Sequence, residues 1–481
     1  MIFCWPRHYS GLNVAPKTRL DWSSLGVLAM FIAVGVLLAA CQSFRSAPSS
    51  QAAPHIIETA AVATTSANEV TAPPDIIAPV PDFLVVDPEP EAKAPGKEQL
   101  AAIVPGGHRV ALLLPLSGPS ARVGKAFLNA AQVALFDFAD DNFELVVHDT
   151  KGTPEGAAHA GNQAALDGSS MIIGPLLATS VQQVAPAARD AGIMMVAFSN
   201  NSSVAGDGVF IMGFLPSTQV DRVVSYAVNR GLSRIAALAQ DDPYGRKVVD
   251  SLHLALANAG GKLIQVEFYD PLNADLSAPV RRIANFASRQ KHLVAQRKKL
   301  AAQGGELAQK TLTRLEGLQT AGALPYDTLM IADDGKRLQA IAALLPYYDI
   351  DPAIIRMLGS GHWDVSAIGA EPALIGGWFA APPPKSRARY EAQYQKVYGE
   401  PPLPLSTLAY DATALAAILA RSPGGPDFSI SALTNPRGFS GQDGIFRFHP
   451  DGMIERGLAV IQVEPRGSRV IDPAPEAFLA H

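Results

Sequence analysis

From residue 108 onward, short unbroken apolar runs alternate with longer segments in which apolar residues return every three or four positions. The runs are "RVALLLPLSG" (109–118), "FELVVHDT" (143–150), "MIIGPLL" (171–177), "IMMVAFSN" (193–200) and "GVFIMGFLP" (208–216). Between them, 120–139, 154–167 and 179–191 carry the helical period. Runs with no in-out alternation predict strands covered on both faces, which is the signature of a parallel sheet sandwiched by helices. The alternation restarts at helix 217–230. It continues through "RIAALA" (234–239), helix 245–259, "KLIQVEFYDP" (262–271), a long helical region, "DTLMIAD" (327–333), helix 336–347 and "IIRMLGSG" (354–361). "LIGGWFAAPPP" (374–384) leads to helices 386–398 and 407–420, and 443–464 reads as a hairpin. Two βα series of similar size predict an α/β protein of two doubly wound parallel-sheet lobes with an interlobe cleft. Lobe one is expected at about 107–216 and 379–447, lobe two at about 217–378 and 448–465, and a tail at 466–481. Ligands of such sheets bind beyond the carboxyl ends of strands.

Upstream the pattern differs. Arg7, Lys17 and Arg19 precede an uncharged stretch whose core, "LGVLAMFIAVGVLLAA" (25–40), runs into Cys41. About 16 apolar residues suit a signal peptide (1–40) better than a membrane span of about 20. An uncleaved amino-terminal anchor is the alternative. Residues 41–106 are rich in Pro, Ala, Ser and Thr and keep no period, so they read as a disordered tether. As a coil the tether would span roughly 45 Å.

Charge sharpens this division. Net charge is −5; residues 42–106 hold eight acids and three bases, and 107–481 hold 35 acids and 33 bases. The folded body is nearly neutral, so no global basic field argues for nucleic acid.

Leu38-Ala39-Ala40-Cys41 resembles the lipobox of bacterial lipoproteins. That resemblance implies cleavage before Cys41, acyl chains on its thiol and a periplasmic home. Gln42 favours the outer membrane. "PLSGP" after the first strand, "IIGPLLATSV" (172–181), "GIMMVAFSNNSS" (192–203), "ALAQDDPYGRKV" (237–248) and "LGSGHW" (358–363) come in order. The series resembles type I periplasmic binding proteins of the Leu/Ile/Val-binding class. It implies cleft positions at Ser117, Gly118, Leu177, Ala178, Ser199, Asn200, Asn201, Tyr244, Asp333, Ser360 and His362, with room for a small ligand. These residue types also cap helices and close turns. Amino acid receptors place an acid near Gly361, where this chain has His362, a poor counter-ion for a buried ammonium. Asp333 and Asp334 are possible substitutes. On a lipid anchor, "LLLPLSG" and "IIGPLL" together resemble the penicillin-binding protein activator lipoproteins. That family implies a bifunctional penicillin-binding protein, a peptidoglycan synthase, as partner.

One segment exceeds what a receptor needs. Residues 278–322 form a helical insertion with nine bases and two acids between Arg281 and Glu316. Phe286, Leu293, Leu300 and Leu307 recur every seven residues; Ala287, Val294, Ala301, Ala308 and Leu315 repeat one position later. This predicts an apolar seam flanked by Arg289, Lys291, Arg297, Lys298 and Lys299, broken at Gly304-Gly305 into two helices. The insertion is either a hairpin packed on its own lobe or an arm that grips a partner.

No GxSxG elbow, HExxH or P-loop occurs, and the ten histidines lack metal spacing. No enzyme and no cofactor is expected. The sequence leaves two functions standing: an outer-membrane lipoprotein that activates a peptidoglycan synthase, or a solute receptor serving a transporter or sensor.

Overall fold

The computed structural model describes residues 108–478. The leader expected at 1–40, Cys41 and the tether at 41–106 lie outside them.

The first sheet is built from β1 (His108–Leu114), β2 (Phe143–Asp149), β3 (Met171–Ile173), β4 (Met194–Ala197) and β5 (Val209–Ile211). All its pairings are parallel, in the order β2-β1-β3-β4-β5. Val110 to Leu114 are fully buried, as the unbroken apolar run requires. Helices α1 (Ala121–Phe138), α2 (Pro154–Leu166) and α3 (Ala178–Asp190) are the crossovers. Local chemistry starts α2: Pro154 occupies its first turn, and Thr153 Oγ1 accepts the Gly156 N–H at 3.0 Å.

Helix α4 (Pro216–Asn229) opens the second lobe, followed by β6 (Arg234–Gln240), α5 (Pro243–Ala259) and β7 (Lys262–Tyr269). Asp242 caps α5 through the Gly245 N–H at 2.7 Å, and Gly260 ends it at φ 78°. The insertion follows as α6 (Ser277–Ile283), α7 (Phe286–Gln303) and α8 (Glu306–Glu316). Then come β8 (Thr328–Ala332), α9 (Gly335–Tyr347), β9 (Arg356–Gly359) and β10 (Trp378–Ala381). Strands β7-β6-β8-β9-β10 repeat the order of the first sheet, again all parallel.

Helices α10 (Ala388–Tyr398), α11 (Thr407–Ala420) and α12 (Ile430–Leu433) return to the first lobe. Leu408, Leu415 and Leu433 join the core of β1 to β5. A small antiparallel sheet of β11 (Phe439–Gly441), β12 (Gly444–Phe448) and β13 (Ile454–Arg456) sits with them, placing Phe446 and Phe448 in that core. The chain then crosses back as β14 (Ala459–Glu464), antiparallel to β10, and β15 (Gly467–Asp472), antiparallel to β14.

Three expected boundaries therefore move. β10 lies wholly in the second sheet, so lobe one resumes after Ala381 and not at 379. The hairpin within 443–464 is β12–β13, and it stays with lobe one; the last crossing follows Arg456 and not Arg447. The expected tail at 466–481 contributes β15, an edge strand. "GSRVID" was missed because an edge strand with no buried residue carries no apolar run.

Candidate functional site

The sequence-predicted cleft residues fall on six loops, each at the carboxyl end of a parallel strand. In both sheets the order reverses beside the first strand, which is where open α/β sheets bind ligands. On the first lobe, Ser117 and Gly118 follow β1. Asp149, the last residue of β2, fastens this loop. Its Oδ1 accepts the N–H groups of Leu116 (2.9 Å), Ser117 (3.3 Å) and Lys151 (2.7 Å), and its Oδ2 accepts the Ser117 hydroxyl (2.6 Å). Desolvation works to raise this carboxyl, but those four donors outweigh it and hold the pKa below the ordinary value. Gly118 stands at φ 78°, and a Cβ there would meet the Lys151 carbonyl oxygen at 2.7 Å. Leu177 and Ala178 begin α3 with no side-chain cap. Ser199 is buried, and its Oγ accepts the Asn201 N–H at 3.1 Å. Asn200 and Asn201 are exposed; Asn201 Oδ1 accepts from Ser203 N, closing a turn.

The second lobe offers a tighter group. Tyr244, in the first turn of α5, donates its hydroxyl to Ser360 Oγ at 2.7 Å and stacks on His362 with centroids 4.6 Å apart and planes at 15°. Desolvation, with the carboxylates of Asp334, Asp242 and Asp333, keeps the phenol far above its usual pKa, so it remains a donor. Gln219 of α4 accepts the Gly361 N–H at 2.9 Å and fixes the loop. His362 Nδ1 lies 3.0 Å from Asp334 Oδ2. Asp333 does not present itself as a free acid. It is 1% exposed and enclosed by Tyr269, Gln240 (3.0 Å) and Arg337 (3.5 Å). Burial pushes it up to about 6, against the Asp334 N–H and Arg337. The carboxylate that reaches His362 is therefore Asp334. No hydrogen bond among the described residues joins this group to the first-lobe residues named above.

The insertion is a helical hairpin, but only half of the expected seam faces inward. Leu293 and Leu315 form a small core with Ala321, and Leu300 packs on it. Phe286 and Ala308 are also buried. Val294 is 59% and Leu307 80% exposed, which removes them from the seam. Two of the five expected contact residues are internal clamps. Arg289 donates to the carbonyls of Gly322, Ala284 and Asp349. Arg297 closes the end of α8 on the carbonyls of Leu315, Glu316 and Leu318. Lys291, Lys298 and Lys299 are exposed.

A second cluster was not foreseen. Arg387, Asp411, Asp443 and Arg456 gather where the chain crosses between lobes. Asp443 is fully buried, paired with Arg387 and accepting the Thr407 hydroxyl at 2.6 Å. Arg456 donates to the Met212 carbonyl at 2.6 Å and lies over Phe214. No local spacing joins positions so far apart, so only the fold could bring them into view. Among the described residues there is no cluster of three or more potential metal ligands, and no helix long and apolar enough to cross a membrane.

A profile of the periplasmic binding protein family matches residues 108–468. The chain belongs to that family. Its type I fold is shared with an ABC transporter substrate-binding protein from Sphaerobacter thermophilus (18% identity, TM-score 0.57), covering 77% of this chain and 98% of that one. LivJ from Streptococcus pneumoniae, solved with isoleucine, gives 16% identity and a TM-score of 0.50 over 76% of this chain and all of its own. The LpoA (YraM) C-domain from Haemophilus influenzae, a regulator of PBP1A, gives 16% identity and a TM-score of 0.54 over 76% of this chain and 99% of that domain. In sequence, an uncharacterized protein of Rickettsia prowazekii is 26% identical over 183 residues. That match spans 37% of this chain and 47% of the relative's length. The family places this binding protein in the periplasm.

Proposed function

We propose that the protein is a lipid-anchored periplasmic regulator, held at the outer membrane through Cys41, that activates a bifunctional penicillin-binding protein by direct contact. The observation that carries this reading is the hairpin of α7 and α8. It adds exposed Lys291, Lys298 and Lys299, beside exposed Val294 and Leu307, to a lobe whose sheet does not need them. Cationic side chains around apolar ones suit an acidic protein surface, where charge steers encounter and the apolar positions lower the off-rate. The likeness to a PBP1A regulator domain supports the choice of partner, as does the lipobox-like sequence before Cys41. The body acts by favouring the active state of the synthase.

The test is glycan-strand synthesis by purified bifunctional penicillin-binding proteins, with and without this protein. Stimulation is expected, with co-precipitation of the synthase. The triple variant Lys291→Glu, Lys298→Glu, Lys299→Glu should lose it while melting normally, because none of the three packs inward. Arg289 and Arg297 are left alone because their loss would disturb the hairpin itself. Stimulation undiminished in the triple variant removes the hairpin from the mechanism.

The cleft supports a second reading, a solute receptor. Asp334 beside His362 restores a carboxylate near the place where receptors hold an ammonium group. Tight uptake of an amino acid by calorimetry, with no synthase captured, would favour this reading.

A further inference from the structure

Away from the cleft, the first lobe contains a pocket of about 220 Å³ between the end of α1, α11 and the strands β11 and β12. Its walls are aromatic: Phe138, Tyr410, Phe439 and Phe446. Phe138 meets Tyr410 edge-on, centroids 6.1 Å apart, and Phe439 leans on Phe446 at 5.6 Å. Ile418, 46% exposed, and Ser440 stand at the rim.

Asp411 also lines this pocket and is only 3% exposed. Its Oδ1 accepts the Gln442 N–H at 2.8 Å, whereas its Oδ2 accepts no hydrogen bond from the protein. A buried carboxylate oxygen left without a donor is costly, and a carboxylate can only accept. Two of the neighbouring polar groups are already engaged. Tyr410 gives its hydroxyl to Asp137, and Asp443 is held by Arg387 and Thr407. Arg456 keeps Nε and Nη1 free but points Nη2 to Met212 and stacks on Phe214 and Phe446. Burial first, and the Asp443 carboxylate second, push Asp411 up to about 7.

We infer that this pocket is a second ligand site, which takes a small uncharged ring molecule whose single hydroxyl donates to Asp411 Oδ2. Each property follows from one feature. The ring matches four aromatic walls. The size follows from the volume: apolar cavities of about 150 Å³ take up benzene, and this one admits a ring with a substituent. Neutrality follows from the charges behind Asp411. Two carboxylates, Asp411 and Asp443, already balance two guanidinium groups, Arg387 and Arg456, so any charged guest would leave a net buried charge. The hydroxyl follows from the acceptor that has no donor.

Phenol and benzene are the probes. Calorimetry and thermal shift on the full chain at pH 8, where Asp411 is ionised and phenol neutral, should show phenol binding about ten- to a hundredfold tighter than benzene. That ratio is one hydrogen bond to a charged group. Ala414→Leu fills the pocket from α11 without touching the charged cluster; it should melt at or above the parent temperature and lose phenol. Asp411→Asn should bring phenol down toward benzene. Equal affinity for phenol and benzene, phenol retained in a folded Ala414→Leu protein, or no uptake at millimolar probe would each overturn the site. The outcome is independent of synthase activation, which involves the other lobe.

Discussion

Single residues show how closely the loops are held. Gly124 lies in the first turn of α1, and a Cβ there would come within 2.1 Å of the Pro115 carbonyl oxygen. Backbone cannot give way as a side-chain tip can. Gly124→Ala should therefore cost about 1–3 kcal/mol in chemical denaturation, and hydrogen exchange should show the Ser117 loop loosened. Asp333 makes a prediction about pH. Its folded pKa, about 6, lies above the ordinary 3.8, so the native state holds the proton more tightly. The stability this contributes is complete below the unfolded value and is lost as pH rises through about 6. The displacement corresponds to about 3 kcal/mol. Urea titrations from pH 4 to 7 should show Asp333→Asn gaining on the parent protein by about that amount as pH rises. A constant difference would mean that Asp333 is ionised throughout.

At the scale of elements, legibility in the sequence depended on burial. β1 from Val110 and β8 from Leu329 announce themselves because each is covered on both faces there and must be apolar. The hairpin was half legible. A seven-residue repeat locates an apolar stripe, but two adjacent rows satisfy it, and the sequence does not say which turns inward. On α7 the row of Phe286, Leu293 and Leu300 won, while Ala287, Val294 and Ala301 face out. Leu293, 2% exposed, is the center of that small core. Leu293→Ala should cost about 2–4 kcal/mol locally and be read as faster exchange in 286–316, with the two sheets unaffected. The strand-end positions of Ser117, Tyr244, Ser360 and His362 were legible from the apolar runs that precede them. Asp149 as the fastener of Ser117, and Gln219 as the brace of Gly361, were not, because each acts across elements distant in sequence.

For the whole molecule, the two sheets share one strand order and are tied by three passages of the chain. The Arg387–Asp443 pair sits beside the last two passages, with Asp443 fully buried. Asp443→Ala would strand a largely buried guanidinium, and a loss of about 3–5 kcal/mol is expected. The unfolding transition should stay single, since both lobes lose support at once. A separate early melt of one lobe would show that the passages do not couple them.

Helix α11 sets the order of events in a growing polypeptide. Nearly all of its residues are buried against the first sheet. Yet the ribosome reaches it roughly 200 residues after β5, about 10–40 s later at ordinary elongation rates. Because the finished fold belongs to the periplasm, the amino-terminal segments must stay unpacked, with their greasy residues uncovered, until α11 has followed them across the membrane.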